Sequence, residues 1–301
     1  MSGLTAIVLG ASGGGGFPQW NCRCPVCELA WANDPRVKRR TQASLAVSAD
    51  GEHWTLLNAS PDLREQIQAT PALQPRIAPR SSPIQAVVLT GAEIDQIAGL
   101  LALREREGFS LYGTGDTLAA VAANPIFNVL GPDIVPRKPV RLAEPFALPG
   151  GLSAELFTVP GKVALYLESA EPELAAESEV NVGVEVVSGP LRLVYVPGAA
   201  ATTAALMQRL GRADVVFFDS TLFEDDEMIV TGTGNKTGRR MGHMSLNGAG
   251  GTLEQLAGLT ARRILTHINN TNPILIEDSP QRRKVKMAGF EIAEDGMEIV
   301  L

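Results

Sequence analysis

Ser44-Leu45-Ala46-Val47-Ser48-Ala49-Asp50-Gly51-Glu52-His53-Trp54-Thr55-Leu56-Leu57 is the stretch whose reading decides the fold. Two apolar runs, at 44–48 and 55–57, flank Asp50-Gly51, a dipeptide suited to the positive φ angles of a hairpin turn. Such hairpins are out of place in a doubly wound parallel sheet, whose strands are joined by helical crossovers. Further strand signals recur at residues 5–9, 86–89, 152–157, 163–167, 182–187, 191–196, 215–218, 264–267 and 297–301. Helical spacing falls at 95–106, 203–210, 252–257 and 279–288. The order is β-rich with interspersed helices and no repeat. It predicts an α/β chain in the broad sense (α+β), with two β-sheets covered by helices. Residues 71–83 and 168–179 read as surface loops rather than linkers, so a single domain over 1–301 is expected.

Composition narrows the function classes. At 45% hydrophobic and 20% charged residues, the 301-residue chain can bury a full core. A net charge of −7 argues against nucleic acid, which favours a basic face. No apolar run reaches the length of about 18 residues that a membrane span needs. Residues 1–16 lack a charged leader, and no disulfide framework is available, so a cytoplasmic location is expected.

All three cysteines lie in Cys22-Arg23-Cys24-Pro25-Val26-Cys27. Three thiols this close suit zinc, in a structural role, with a fourth ligand supplied by a distant segment. Just before them, the apolar run 5–9 leads into Gly13-Gly14-Gly15-Gly16. No helix start follows to receive a pyrophosphate, so a dinucleotide site is rejected. These glycines instead let the backbone pass close to a substrate or to another loop.

The chain has only three histidines. His53, beside the hairpin turn, reads as a surface residue. His243 sits in a glycine-flanked loop, and His267 ends a buried strand ahead of Asn269-Asn270-Thr271-Asn272-Pro273. Asp219 follows the apolar run 215–218, while Glu93 and Asp95 follow 86–89. Each has a plain alternative: a core histidine, a turn aspartate at 219, a helix cap at Asp95. Together, acids and histidines at strand ends from four segments suggest a metal site with oxygen and nitrogen ligands.

Four stretches resemble the coenzyme PQQ synthesis protein B family: residues 13–24 (GGGGFPQWNCRC), Asn58-Ala59-Ser60-Pro61-Asp62, Met241-Gly242-His243 and residues 267–273 (HINNTNP). The resemblance runs nearly end to end. It implies the metallo-β-lactamase superfamily and its αββα four-layer sandwich. That superfamily usually carries H-x-H-x-D-H after a buried strand, then two later histidines and a bridging aspartate. The matching positions are Gly91, Glu93, Asp95 and Gln96, then His243, Asp219 and His267. The first motif has lost every histidine, including the one that family members generally keep where this chain has Gln96. Too few imidazoles remain for a hydrolytic dizinc centre.

The resemblance implies an iron-dependent hydroxylase acting on a tyrosine in a small, peptide-derived Glu-Tyr precursor of pyrroloquinoline quinone (PQQ). Histidine–carboxylate sets with open positions suit non-haem Fe2+. On this reading Glu93, Asp95, Asp219, His243 and His267 form the catalytic set, with Asp95, Asp219, His243 and His267 as metal ligands. Gln96 orients a water or the substrate. Lys236, Arg239 and Arg240, on a glycine-containing loop, pair with substrate carboxylates, as does the nearby polar Asn269. A solvated basic loop is the plain alternative. Cys22, Cys24 and Cys27 hold the structural Zn2+. Related phosphodiesterases of this fold place a histidine where this chain has Asn270. Two rivals stay open: binding and transport of PQQ or its precursor towards the periplasm without turnover, and metal-dependent hydrolysis. A homodimer is compatible with all three.

Overall fold

A computed structural model describes residues 3–77, 79–164, 166 and 178–301. Six strands come from the first half of the chain: β1 (Thr5–Gly10), β2 (Ser44–Ser48), β3 (Trp54–Leu57), β4 (Ile84–Val88), β5 (Ser110–Gly113) and β6 (Arg137–Pro139). The remainder are β7 (Phe146–Ala147), β8 (Ser153–Thr158), β9 (Val182–Ser188), β10 (Leu191–Val196), β11 (Val215–Asp219), β12 (Arg262–Thr266), β13 (Phe290–Ile292) and β14 (Glu298–Val300). They form two mixed sheets, ordered β14-β1-β2-β3-β4-β5-β6 and β13-β12-β11-β10-β9-β8-β7. The expected hairpin is present, with Leu45 opposite Leu57 and Val47 opposite Thr55. Its turn is longer than two residues: the Asp50 carboxylate accepts the backbone N–H groups of Glu52 and His53, both at 2.8 Å.

Period-two alternation builds four layers. Val8, Leu45, Val47, Leu57 and Val88 of the first sheet meet Val184, Tyr195, Val215, Phe217 and Ile264 of the second in one central core. The intervening residues Ile7, Leu56 and Val87 face outward onto Leu63, Leu118 and Val121 of helices Leu63–Ala69 and Gly115–Ala123. On the far side, Val194, Val216, Phe218 and Leu265 pack against Leu206, Leu210 and Val285 of helices Ala204–Leu210 and Pro280–Met287. Burial on both faces explains why the central strands read as unbroken apolar runs. Each such side chain contributes about 1.5–3 kcal/mol.

Some expectations change. The helix predicted over 95–106 is a single α-turn, Ile94–Ile97, followed by a 3₁₀ segment, Ala98–Leu103. Gly99 lies so tightly on the 59–60 backbone that an added Cβ would come within 2.0 Å of the Ser60 carbonyl, and this contact accompanies the tightened turn. The loop predicted at 71–83 contains the 3₁₀ turn Pro71–Leu73, with Leu73 buried. The strand expected at 163–167 and the loop at 168–179 fall largely outside the described residues, and Val163 and Ala164 pair with no strand. Among the described residues, no helix is long and apolar enough to cross a membrane.

A candidate metal centre at the seam of the two sheets

The ends of β1, β4, β11 and β12 gather at one edge of the sandwich. The chain leaving β1 crosses to the second sheet there: Ser12 bridges both Gln42 and Ile268, and Gly13 N–H donates to the Ile268 carbonyl at 2.8 Å. A Cβ on Gly13 would sit 3.5 Å from the His267 ring, and one on Gly14 would sit 3.7 Å from the Asp95 carboxylate. The glycine run therefore lies as a wall against the polar residues, the close approach its composition suggested.

Each polar side chain is aimed by its own local structure. Asp219 is the last residue of β11 and fully buried. His267 follows β12 in the left-handed region (φ 57°), turning its ring off the strand line. His243 follows the short helix Gly238–Met241 and its C-cap Gly242, at φ 83°. Any larger residue at 242 would be strained by that φ and would press its Cβ to 2.9 Å from Lys162 Cγ. Asp95 does not take the plain alternative of capping the helix that carries it: Glu93 is the N-cap, in a capping box with Gln96, so Asp95 is released to face the histidines.

The result is a continuous polar cluster. His267 Nε2 lies 3.0 Å from Asp95 Oδ2, and His243 Nδ1 lies 2.7 Å from Asp219 Oδ2. The two imidazoles stack with centroids 5.2 Å apart. Ligating atoms of Asp219, His243 and His267 all fall within 4.8 Å of one another. Burial pushes the His267 imidazole down, but the Asp219 and Asp95 carboxylates beside it outweigh this and hold it at about 10. Burial likewise raises Asp95 and Asp219, yet the two imidazoles hold both carboxyls below the usual range. A pocket that retains a proton on imidazole this strongly carries negative potential that a divalent cation would neutralise.

Asp95, His243 and His267 of this cluster line a cavity of about 490 Å³, with Asp219 buried behind them. Glu93, Gln96, Lys236 and Asn269 also line it, whereas Arg239 and Arg240 do not. The Arg239 side chain is exposed, so the expected pairing of both arginines with substrate has no support in the cavity wall. Gln96 is occupied locally: its Oε1 accepts the Glu93 N–H at 3.1 Å, and its Nε2 reaches the Thr90 hydroxyl at 3.4 Å. Sequence reading passed over Lys162, a second cation in the wall, 3.5 Å from Glu93. It also passed over the Thr221 hydroxyl, which touches Asp219 and both histidines. A weak signal for Thr221 was its place two residues after a strand-end acid. The motif at 58–62 proves to be scaffolding. Asn58 Oδ1 accepts the Thr90 N–H at 2.9 Å, and Asp62 Oδ2 accepts the Gln42 N–H at 2.8 Å.

Behind the cavity, the thiols of Cys22, Cys24 and Cys27 converge within 4.8 Å. Cys24 caps helix Pro25–Trp31 through its sulfur, with Pro25 in the first turn. The Asn270 carboxamide reaches the same sulfurs, with Nδ2 at 3.1 Å from Cys22 and 3.3 Å from Cys27. Asn269, its neighbour, lines the cavity, so one loop serves both places. That loop is also held by Glu227, whose carboxylate accepts the Thr271 hydroxyl at 2.5 Å and the Phe223 N–H at 2.8 Å.

Burial pushes Glu227 up to about 7 from an ordinary 4.5. Between those two values the folded chain binds more protons here than the unfolded chain, so stability falls as pH rises through that window. The expected contribution is about 1–3 kcal/mol. Urea melts of the parent chain and Glu227→Gln, compared from pH 4.5 to 7.5, should show a steeper fall in the parent, since the buried Asp295, raised to about 6, contributes to both; parallel profiles would remove the assignment.

Residues 53–268 match the family described as "Beta-lactamase superfamily domain". The coenzyme PQQ synthesis protein B of Methylorubrum populi is 53% identical over 299 residues, covering 99% of this chain and all of that protein. The same-named protein of Rhizobium meliloti is 54% identical over 301 residues, covering 100% of this chain and 99% of that one. The crystal structure of Zn(2+)-bound PqqB from Methylobacterium extorquens superposes with a TM-score of 0.97 at 51% identity, over 98% of this chain and 99% of that one. A diphosphatase of the PhnP family, at a TM-score of 0.69 and 21% identity, covers 99% of this chain and 97% of its own and shares the fold.

Proposed function

The chain belongs to the coenzyme PQQ synthesis protein B family, within the beta-lactamase superfamily, and from that premise we propose that its seam cluster is a mononuclear iron(II) centre. There it hydroxylates the tyrosine of a small, peptide-derived Glu-Tyr precursor during PQQ biosynthesis. The observation that carries this reading is the donor set. Two imidazoles and the Asp95 carboxylate meet in the cavity wall, backed by the buried Asp219 carboxylate, and the H-x-H-x-D-H motif retains no histidine. Two imidazoles are too few for paired zinc ions, whereas histidine with carboxylate suits iron(II) that keeps open positions. His243, His267, Asp95 and Asp219 would hold the ion. Bound iron(II) supplies the one-electron chemistry with dioxygen that oxygenation of an aromatic ring requires.

The rest of the cavity supports an acidic aromatic substrate. Lys236 and Lys162 face it, and Asn269 adds a polar contact. Gln96 serves the Glu93 turn and stands beside the substrate rather than in the donor set. Glu93, 3.5 Å from Lys162, holds that ammonium at the wall. The clasp is assigned a structural Zn2+ on Cys22, Cys24 and Cys27, thiolates whose spacing suits zinc, with the Asn270 amide N–H group donating to the sulfurs. We treat 1–301 as one domain pinned by this clasp.

Anaerobic titration with iron(II), then addition of oxygen, a Glu-Tyr peptide and ascorbate as the two-electron donor that takes the second oxygen atom to water, with mass detection, tests the proposal. One iron per chain at the histidine site and a product heavier by one oxygen atom are expected. Tight binding of the precursor with neither iron uptake nor turnover would replace the hydroxylase by the carrier.

A further inference from the structure

Resting on the metal-centre reading above, we propose that Thr221 is a positioning residue of that centre: its one hydroxyl fixes the ring orientation and tautomer of His267 and braces the Asp219 carboxylate that holds His243. Thr221 is 5% exposed, two residues beyond Asp219. Its Oγ1 lies 2.7 Å from Asp219 Oδ1, 3.0 Å from His243 Nδ1 and 2.9 Å from His267 Nδ1. A hydroxyl has one proton to give and two lone pairs to offer. An ionised carboxylate only accepts, so the proton goes to Asp219, the shortest of the three contacts. The lone pairs are then left for N–H groups, and His267 meets them with a protonated Nδ1, which leaves its Nε2 for the metal. The Nδ1 of His243 lies nearer to Asp219 Oδ2, at 2.7 Å, than to the hydroxyl, so that carboxylate sets its tautomer. His267 Nε2 is the nitrogen beside Asp95, at 3.0 Å.

The hydroxyl is itself held in place. Thr221 N–H donates to Asp219 Oδ1 at 3.1 Å, and its carbonyl accepts the Asn269 N–H at 3.0 Å. Its backbone thus ties the end of β11 to the loop after β12, while β-branching restricts χ1. Losing the hydroxyl releases the His267 ring directly and loosens the carboxylate that holds His243. Partners of this kind, hydrogen-bonded behind ligating histidines, fix ring orientation and tautomer and are worth about 10–100-fold in metal affinity.

The test compares the parent chain with Thr221→Val, which keeps the shape, and Thr221→Ser, which keeps the hydroxyl. Cobalt(II) affinity and its visible d–d spectrum report on the histidine site, while the zinc content of the cysteine clasp and the thermal midpoint report on the fold. Thr221→Val is expected to weaken cobalt(II) binding about 10–100-fold and alter the d–d bands, with clasp zinc unchanged. Thr221→Ser should return affinity to within about threefold of the parent. Unchanged binding and spectrum in Thr221→Val, or Thr221→Ser falling as far as Thr221→Val, would overturn the proposal. Imidazole 15N NMR is a second measurement that survives failure of the metal-centre reading, and the chain has only three histidines to assign. A proton on Nδ1 of His267, slow to exchange in the parent and fast in Thr221→Val, supports the assignment; a bare Nδ1 on His267 refutes it. A parent chain that takes no metal at the histidines, yet shows that Nδ1 proton, rejects the metal centre and keeps the role of Thr221.

Discussion

His267→Ala is expected to abolish iron(II) binding at the seam while leaving one zinc per chain in the cysteine clasp. Removing a partner that merely supports a ligand costs about 10–100-fold in affinity, so losing the ligand itself should exceed about 100-fold. The position carries a backbone constraint as well as a side chain. His267 sits at φ 57°, where alanine is strained and asparagine is tolerated. His267→Asn should therefore match the alanine variant in iron loss while melting closer to the parent. Metal content by elemental analysis, before and after anaerobic iron loading, reads both sites at once. Loss of both metals together would show that the two places are one cooperative unit, against the two-site arrangement drawn here.

Cys27→Ser should empty the clasp and lower the stability of the whole chain by several kcal/mol. Structural zinc in small domains contributes about 10–16 kcal/mol of apparent binding free energy, part of which is folding free energy. This chain has extensive hydrophobic cores besides the clasp, so it should remain folded. Its melting temperature is expected to fall by roughly 10 °C, at about 2–4 °C per kcal/mol for a chain of this size. The clasp grips Asn270, and Asn269 lines the cavity, so iron affinity should weaken as well. Asn270→His makes the opposite prediction: imidazole is a better zinc ligand than a carboxamide, so zinc should bind more tightly and resist chelators longer. An unchanged melting temperature in Cys27→Ser, with zinc gone, would reduce the clasp to a passive binder.

The hairpin at 44–57 was legible because a turn dipeptide between two apolar runs is a local property, and it led to the two-sheet architecture. The strand ends at 88, 219 and 267 were legible for the same reason: an apolar run stops and a polar residue follows. Helix Gly115–Ala123 was missed. So was helix Pro25–Trp31, although Pro25 beside the capping Cys24 was a signal for its start. Of the strand expected at 163–167 from apolar content, the described Val163 and Ala164 lie in no strand.

By itself the sequence determined the chemical inventory: three clustered thiols, three histidines, acids at the ends of apolar runs, and a motif emptied of imidazoles. It also determined the layered architecture, since alternation, turns and apolar runs act over a few residues. Only the tertiary structure decided which of these meet. Asp95 and His267 are 172 residues apart in the chain and 3.0 Å apart in space. Glu93 takes the helix cap that Asp95 could have filled. Lys162 enters the cavity wall while Arg239 and Arg240 stay out of it. The Thr221 hydroxyl, one of many in the chain, becomes the point where Asp219 and both imidazoles converge. The physical reason is range: hydrogen bonds and metal ligation depend on distances of about 3 Å, which a linear sequence does not contain until packing of the two sheets sets them.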